Sequence, residues 1–215
     1  MVEAEDELRA ALLRVARTLV EARLNIGTAG NVSVRCGDGL LITPSGRHPR
    51  DMAAGDMVRL ALDGAVLGPG KPSSEWRFHC ELYRQRSDAG AIAHMHSPYA
   101  TTLSCQRRGL PPFHYTIARF GGDDVRCAPY APFATGELSQ TVVDAMADRS
   151  ACLMANHGAT VIGHNLDEAL ENAIELEFLC ELYWRARQGG EPVLLDADEM
   201  REIGARYRGY CTGAG

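Results

Sequence analysis

The amino-acid sequence predicts one α/β domain in which helices pack against a sheet. Segments of helical and of strand periodicity alternate along its 215 residues, and no repeat, low-complexity run or linker divides them. With 46% hydrophobic and 23% charged residues, the chain has enough apolar content to bury one sizeable core. Residues 1–215 are accordingly taken as a single domain.

The elements follow in order. Leu8, Leu12, Val15 and Leu19 recur at helical spacing with Ala11 and Ala22 on the same face, predicting a packing helix of about 20 residues. Gly27-Thr28-Ala29-Gly30 ends it, and Asn31 to Arg35 alternates as a strand that turns at Asp38-Gly39 into Leu40-Leu41-Ile42, a β-hairpin. Thr43-Pro44-Ser45-Gly46 is a turn, and Val58 to Leu60 with Gly64 to Val66 predicts a further short strand pair about Asp63-Gly64. Pro72-Ser73-Ser74-Glu75 opens a helix bearing Trp76, His79, Leu82 and Tyr83, with the two serines as N-cap residues. Ala91 to His96 reads as a short apolar strand, Ser97-Pro98 starts a helix, and Thr135-Gly136 starts another. Ala151 to Ala155 is a buried strand, and Asn165 with Glu168 caps a long helix running through Arg187.

Composition excludes several classes of function. A net charge of −6 argues against a nucleic-acid partner, which would need clustered Lys and Arg; the nearest cluster, Gln106-Arg107-Arg108, is a solvated turn. No segment approaches the roughly 20 apolar residues that span a bilayer, and the acidic N-terminus has no export pattern, so no membrane partner is expected. Seven dispersed cysteines, none in a C-x-x-C pair, indicate neither a disulfide framework nor a thiolate metal site; reduced, mostly buried thiols in a cytoplasmic protein are the expectation.

The histidines carry more information. Side chains two residues apart on a strand share a face, so His94 and His96 point together and Met95 points away. That pair either chelates a metal or forms two hydrogen-bonded histidines on a half-buried strand, and spacing alone leaves both open. A third ligand would come from His157, at the end of an apolar strand and before Gly158, where the backbone can stay close. Three imidazoles and an open position suit catalytic zinc. His48 reads as a loop residue, His79 as a helix-face residue, and His164 as part of the turn before Asn165; His114 is set apart by its neighbour Tyr115. Glu75 falls in the first turn of a helix, where the dipole favours an anion and capping is sufficient to explain it. The amides of the same helix start and the hydroxyls of Ser73 and Ser74 would also hold a phosphate, with Glu75 as a base beside it. Gly68-Pro69-Gly70-Lys71 lacks the spacing and following hydroxyl of a P-loop, and neither G-x-G-x-x-G nor G-x-S-x-G supports dinucleotide binding or serine hydrolysis.

Six ordered segments complete the reading: Gly27 to Ser33, Leu41 to Gly46, Pro72 to His79, His94-Met95-His96, Cys127-Ala128-Pro129-Tyr130 and Asn156-His157-Gly158. Together they resemble the class II aldolase family, which holds fuculose-phosphate aldolases, ribulose-phosphate epimerases and non-catalytic adducin-like modules, and the likeness covers nearly the whole chain. It implies a three-layer α/β/α fold with a central mixed, mostly antiparallel sheet. It also implies a zinc ion, or manganese or cobalt in its place, held by His94, His96, His157 and the resting Glu75. By the same resemblance Asn31, Ser45, Gly46, Ser73 and Ser74, with Thr28 beside them, bind a substrate phosphate. Tyr115 would act across a subunit interface in a homotetramer, and Glu75 would move a proton. The reaction implied is retro-aldol cleavage of a small phosphorylated sugar, where a divalent cation stabilises the enediolate that Lys71, the chain's only lysine, is badly placed to replace by an imine. Epimerisation, dehydration and decarboxylation are alternatives within the family; glutamate rather than aspartate at position 75 favours aldolase or dehydratase. Pro112-Phe113-His114-Tyr115 through Gly121-Gly122 resembles the fuculose-phosphate branch, whose ketone product is dihydroxyacetone phosphate. Arg119-Phe120 and Met95 depart from that branch and are expected to reshape the aldehyde pocket toward deoxy or methylthio sugars, with Phe133 either lining it or packing in the core.

Overall fold

In the computed structural model, which describes residues 2–211, seven strands form one sheet: β1 (Asn31–Cys36), β2 (Gly39–Ile42), β3 (Val58–Ala61), β4 (Ala91–Met95), β5 (Arg126–Ala128), β6 (Ala151–Met154) and β7 (Gly158–Gly163). The spatial order is β3-β2-β1-β4-β7-β6-β5, antiparallel at every pairing except the parallel edge pair β5–β6. The helices are α1 (Val2–Glu21), α2 (Trp76–Gln85), α3 (Pro98–Cys105), α4 (Gly136–Ala145), α5 (Leu166–Gln188) and α6 (Ala197–Cys211). None of them is long and apolar enough to cross a membrane.

Strand alternation assigns the two faces. Ala91, Ala93 and Met95 of β4 join Ala159 and Val161 of β7 in a core with Leu12, Val15 and Leu19 of α1, Leu103 of α3 and Leu176 and Leu179 of α5. Ile92, Cys152, Met154 and Ile162 face the other way, onto Phe78, Leu82 and Tyr83 of α2 and Leu138 and Val142 of α4. Helices on both faces make the three layers α/β/α. The strip His94, His96, Asn31 lies at one end of the α2–α4 side, with His94 fully buried and Asn31 and His96 facing the cavity described below.

Most caps follow the chemistry read from the chain. Thr135 accepts from the Leu138 amide at the start of α4, Asn165 accepts from Glu168 at the start of α5, and Pro98 occupies the first position of α3. Several expectations need correction. Gly64 to Val66 forms no strand, because only Val66 bridges to Leu60; the third strand instead pairs with β2. The helix expected from Ser73 begins at Trp76, since the Ser73 amide donates to the Thr43 carbonyl and Pro72 bridges Pro44, keeping this stretch extended. β4 ends at Met95, one residue before His96. Met95 and Phe120 are fully buried in the α1–α3–α5 core, and Arg119 donates to Asn172 and pairs with Glu171 on α5, so none of these three lines the cavity described below. Strands β5 and β7 and the helix α6 had no clear periodic signal. Among the described cysteines none is disulfide-bonded; Cys36, Cys80, Cys152 and Cys180 are buried, Cys105 is exposed, and the side chain of Cys211 lies outside the described residues.

An ion-pair cluster fastens α1 to the edge strand. Glu5 accepts from Arg9 at 2.6 Å and from Arg59 of β3 at 2.5 Å, and Arg9 also reaches the Met57 carbonyl. Hydrogen bonding from Arg9, then from Arg59, holds the Glu5 carboxyl below its ordinary value of 4.5. A depressed carboxylate stabilises the fold above its unfolded value and loses that contribution as pH falls through the native one. Glu5→Gln is therefore expected to cost about 0.5–1 kcal/mol at neutral pH, a deficit that closes progressively below pH 4.5, as read from denaturation midpoints across pH.

Candidate active site

Four side chains from three parts of the chain, Glu75, His94 with His96, and His157, meet at one end of the sheet. His94 is the cross-strand partner of Asn31 on β1 and of Thr160 on β7, so register alone places it at the centre. Its Nδ1 lies 3.0 Å from the Ala159 carbonyl, an acceptor only, so Nδ1 carries the hydrogen and Nε2 presents a lone pair. His96 follows the strand end. Its amide donates to Asn25 Oδ1 at 2.9 Å while Asn25 Nδ2 donates to the His94 carbonyl, a clamp across the two ligand residues. Gly30 makes room for that clamp: a Cβ there, at φ +72°, would stand 2.3 Å from Asn25 Nδ2.

His157 sits in the tight turn between β6 and β7. Asn156 before it takes the left-handed conformation, φ 55°, which Asn tolerates better than most residues, and is held by Arg107 and by its own amide to the Ser104 carbonyl. Gly158 after it allows the close approach read from the sequence, since a Cβ would fall 2.3 Å from the Met95 carbonyl. Glu75 occupies the N-cap position of α2 yet makes no capping bond; its carboxylate turns into the histidines instead.

The geometry is one of crowded acceptors. His94 Nε2 lies 3.0 Å from both His96 Nε2 and Glu75 Oε2, and Glu75 Oε1 lies 3.3 Å from His157 Nε2. One ligand atom from each of Glu75, His94, His96 and His157 falls within 4.8 Å of the others. Glu75 Oε1 is buried with no hydrogen-bond partner. Unprotonated nitrogen and carboxylate oxygen at such separations repel unless a cation lies between them, and three imidazoles with one carboxylate suit a divalent metal of the zinc type. Burial opposes ionisation of Glu75, but positive charge beside it, at His94 first and then at His157, with the Asn31 hydrogen bond, outweighs it and keeps the carboxyl well below the usual range; with the imidazoles neutral, a metal ion is what would supply that charge. Burial, reinforced by the neighbouring histidines, pushes His96 down to about 3 and His157 to about 4, the neutral state a metal requires.

This cluster forms the floor of a cavity of about 390 Å³. Glu75, His96 and His157 line it together with Thr28, Asn31, Ser45, Gly46, Ser73 and Ser74, so the anion-binding candidates and the metal-ligating candidates share one space. Among the described residues no Lys or Arg lines it; Lys71 lies outside. Tyr130, Ala131 and Phe133 form an apolar wall, with Phe133 71% exposed. Tyr115 does not line this cavity. It begins a 3-10 helix (Tyr115–Phe120) and is 52% exposed. His48 and His114 accept from backbone amides two residues on, and His164 pairs with Glu168 on the surface; none approaches the cluster.

Several contributing residues escaped the reading of the sequence. Asn25 is one, and Glu177 of α5 is another: it accepts from Ser97 Oγ and from the Tyr99 and Ala100 amides, capping α3 just beyond His96. Ser33 is a third, and with it the buried polar row in which Asn31, read as a phosphate-binding residue, joins His79, Ser33 and Tyr83. Its signal was present, since Glu75, His79 and Tyr83 recur every four residues on α2 while Asn31 and Ser33 alternate on β1. His79 is fully buried rather than a helix-face residue, and burial pushes it down to about 3.

Comparison with known proteins agrees with this architecture. The family model for the class II aldolase and adducin N-terminal domain matches residues 10–184. A 5-methylthioribulose-1-phosphate/5-deoxyribulose-1-phosphate aldolase of Rhodospirillum rubrum is 47% identical over 207 residues, 96% of this chain and 94% of that one. An L-fuculose phosphate aldolase of Escherichia coli K12 is 40% identical, covering 95% of this chain and 96% of its own. Among solved structures, an L-fuculose 1-phosphate aldolase superposes with a TM-score of 0.91 at 38% identity, covering 94% of this chain and 96% of that one. With the matching model spanning most of its length and these relatives covered almost end to end, the chain belongs to the class II aldolase and adducin N-terminal domain family.

Proposed function

We propose that this protein is a divalent-metal-dependent aldolase that reversibly cleaves a ketose 1-phosphate to dihydroxyacetone phosphate and an aldehyde. The observation that carries the reading is the joining, in one cavity, of a cluster of three histidines and a glutamate with a cradle of amides and hydroxyls. His94, His96, His157 and the resting Glu75 would hold the ion: zinc by donor chemistry, with manganese or cobalt accommodated by the same set. When bound, it supplies Lewis-acid stabilisation of negative charge on the substrate's carbonyl and adjacent hydroxyl oxygens.

The chain's own residues do the rest. Thr28, Asn31, Ser45, Gly46, Ser73 and Ser74 would hold the phosphate through N–H and O–H donors, with the α2 N-terminus behind Ser73 and Ser74, in place of a charged side chain. Cleavage breaks the bond between the third and fourth carbons of the ketose. The fourth carbon's hydroxyl gives up its proton to become the aldehyde, and the third carbon takes one up to complete dihydroxyacetone phosphate. Glu75 would carry the proton at the third carbon, a role supported by its Oε1 having no hydrogen-bond partner. Tyr115, exposed and away from its own cavity, would carry the hydroxyl proton at the site of a neighbouring subunit. That division requires an oligomer, and a homotetramer with sites at its interfaces is the proposed form. Free, dispersed thiols support a cytoplasmic setting. The apolar wall of Tyr130, Ala131 and Phe133 supports a deoxy or methylthio end on the aldehyde, as do the names of the Rhodospirillum and Bacillus thuringiensis relatives, the latter a 5-deoxy-D-ribulose 1-phosphate aldolase 40% identical over 205 residues.

Three measurements test this reading. Incubated with 5-deoxyribulose, methylthioribulose, fuculose and ribulose 1-phosphates, the protein should release dihydroxyacetone phosphate, detected with a coupled dehydrogenase, and faster from the first two. Release from none of them sinks the aldolase reading. Chelation should abolish turnover and lower the melting temperature, both restored by a divalent metal, because an ion bound only to the native state stabilises it by mass action. Glu75→Gln should keep about one metal per chain on its three histidines while kcat falls by about 10²–10⁴-fold; unchanged kcat would remove Glu75 from proton transfer.

A further inference from the structure

Beneath Glu75 runs a line of hydrogen bonds that reaches from the cavity floor into the core between α2 and β1. Asn31 Nδ2 lies 3.2 Å from Glu75 Oε2, Asn31 Oδ1 lies 2.5 Å from His79 Nε2, Ser33 Oγ lies 2.7 Å from His79 Nδ1, and Tyr83 OH lies 2.9 Å from Ser33 Oγ. Every member is buried; His79 and Ser33 have no exposed surface at all.

The direction of this line follows from its first member. An ionised carboxylate only accepts, so the Asn31 group facing Glu75 is the NH2, and its carbonyl oxygen faces His79. That oxygen also only accepts, so His79 Nε2 carries the hydrogen. A neutral imidazole has one N–H, which leaves Nδ1 as an acceptor for the Ser33 hydroxyl. Ser33, having given its hydrogen to His79, accepts from Tyr83. All four bonds thus point the same way, ending on Glu75, and reversing any one of them sets donor against donor or acceptor against acceptor among buried groups. A buried group orphaned in this way loses its full solvation with nothing in return, which excludes the reversed arrangement.

We infer that His79 is a positioning residue for Glu75: as the Nε2–H tautomer, backed by Ser33 and Tyr83, it locks the Asn31 amide with its N–H groups toward the carboxylate and the cavity. Left free, an Asn amide can rotate by half a turn and present its oxygen, which would repel Glu75. Locked, Asn31 offers only N–H donors to the cavity, which suits an anion such as a phosphate and disfavours a substrate hydroxyl that must donate. The bond from Asn31 goes to Oε2 and leaves Oε1 unpartnered, so the same lock selects which oxygen is free for chemistry. This inference rests on the reading of Glu75 as the proton carrier.

The test compares metal-loaded His79→Leu, His79→Gln and Ser33→Ala with the wild type, using 5-deoxyribulose 1-phosphate as substrate. Gln can set an N–H near the position of Nε2–H; Leu cannot. His79→Leu is expected to keep its metal content and lose about 10–100-fold in kcat, the usual cost of removing a residue that orients a metal-site group. His79→Gln should recover to within about threefold of the wild type by restoring the donor. A purely structural role would lower the melting temperature of both variants alike, without that difference in kcat. In ¹⁵N-histidine-labelled wild-type protein, the His79 ring should show a protonated Nε2 and an unprotonated Nδ1, a readout independent of turnover. Should His79→Leu fail to fold, Ser33→Ala, which removes one hydroxyl, should still lower kcat severalfold and alter the Nδ1 signal. Wild-type kcat in His79→Leu or Ser33→Ala, Gln no better than Leu, or an Nδ1–H tautomer each overturns the inference. An inactive Glu75→Gln beside an active His79→Leu would sink the positioning role alone, whereas an active Glu75→Gln would sink the role of Glu75 first.

Discussion

Mutual repulsion among four acceptor atoms shapes this end of the molecule. His94 Nε2, His96 Nε2 and Glu75 Oε2 stand about as close as hydrogen-bonded atoms do, with the lone pair of His94 Nε2 turned toward the atoms it faces. A fold does not gather such groups without means to hold them, and the means are visible around each. The Ala159 carbonyl sets the tautomer of His94, Asn25 clamps the backbone through His94 and His96, Gly30 gives Asn25 its space, and Gly158 lets His157 close on β4. These supports come from β1, β4, β7 and the turns beside them, so the sheet register is also the register of the site.

The two faces of the sheet divide the work. Against α1, α3 and α5 the strands present Ala91, Ala93 and Met95, an apolar surface free of polar groups that would need partners. Against α2 the same strands carry Asn31, Ser33 and His94, and the helix answers with Glu75, His79 and Tyr83. Polar groups so buried persist only when each donor meets an acceptor, and here the requirement is met by a row whose polarity leads to the one carboxylate that lines the cavity. The same need explains why α2 begins without a side-chain cap: the residue at its N-cap is committed to the histidines.

Recognition of the substrate follows a different logic from catalysis. In a chain with a net charge of −6, the cavity offers neutral donors and, among the described residues, no Lys or Arg, so affinity for a phosphate would rest on amides, hydroxyls and the start of α2 rather than on a countercharge. The apolar wall that includes Phe133 and Tyr130 stands in the same cavity and is open to solvent in a single chain.

By itself the sequence determined the class of fold, the helices with strong periodicity or caps, and which residue types stood ready for a metal and an anion. His94-x-His96 on a strand, Asn156-His157-Gly158 at a strand end and Ser73-Ser74-Glu75 before a helix are local patterns, and local patterns survive folding. Tertiary structure alone decided what those patterns do together. The apolar run of β7 had no period to distinguish strand from buried helix until it paired between β4 and β6. Ser73 was kept out of the helix by a bond to Thr43, far earlier in the chain. Met95, Arg119 and Phe120, which look like pocket residues beside a histidine and a tyrosine, were turned into the core or onto α5. His79 shows the limit most sharply: its four-residue spacing from Glu75 was legible, but its meaning depended on Asn31 and Ser33 arriving from β1. Which groups meet across such distances is set by strand register and layer packing, and neither is a property of any one segment.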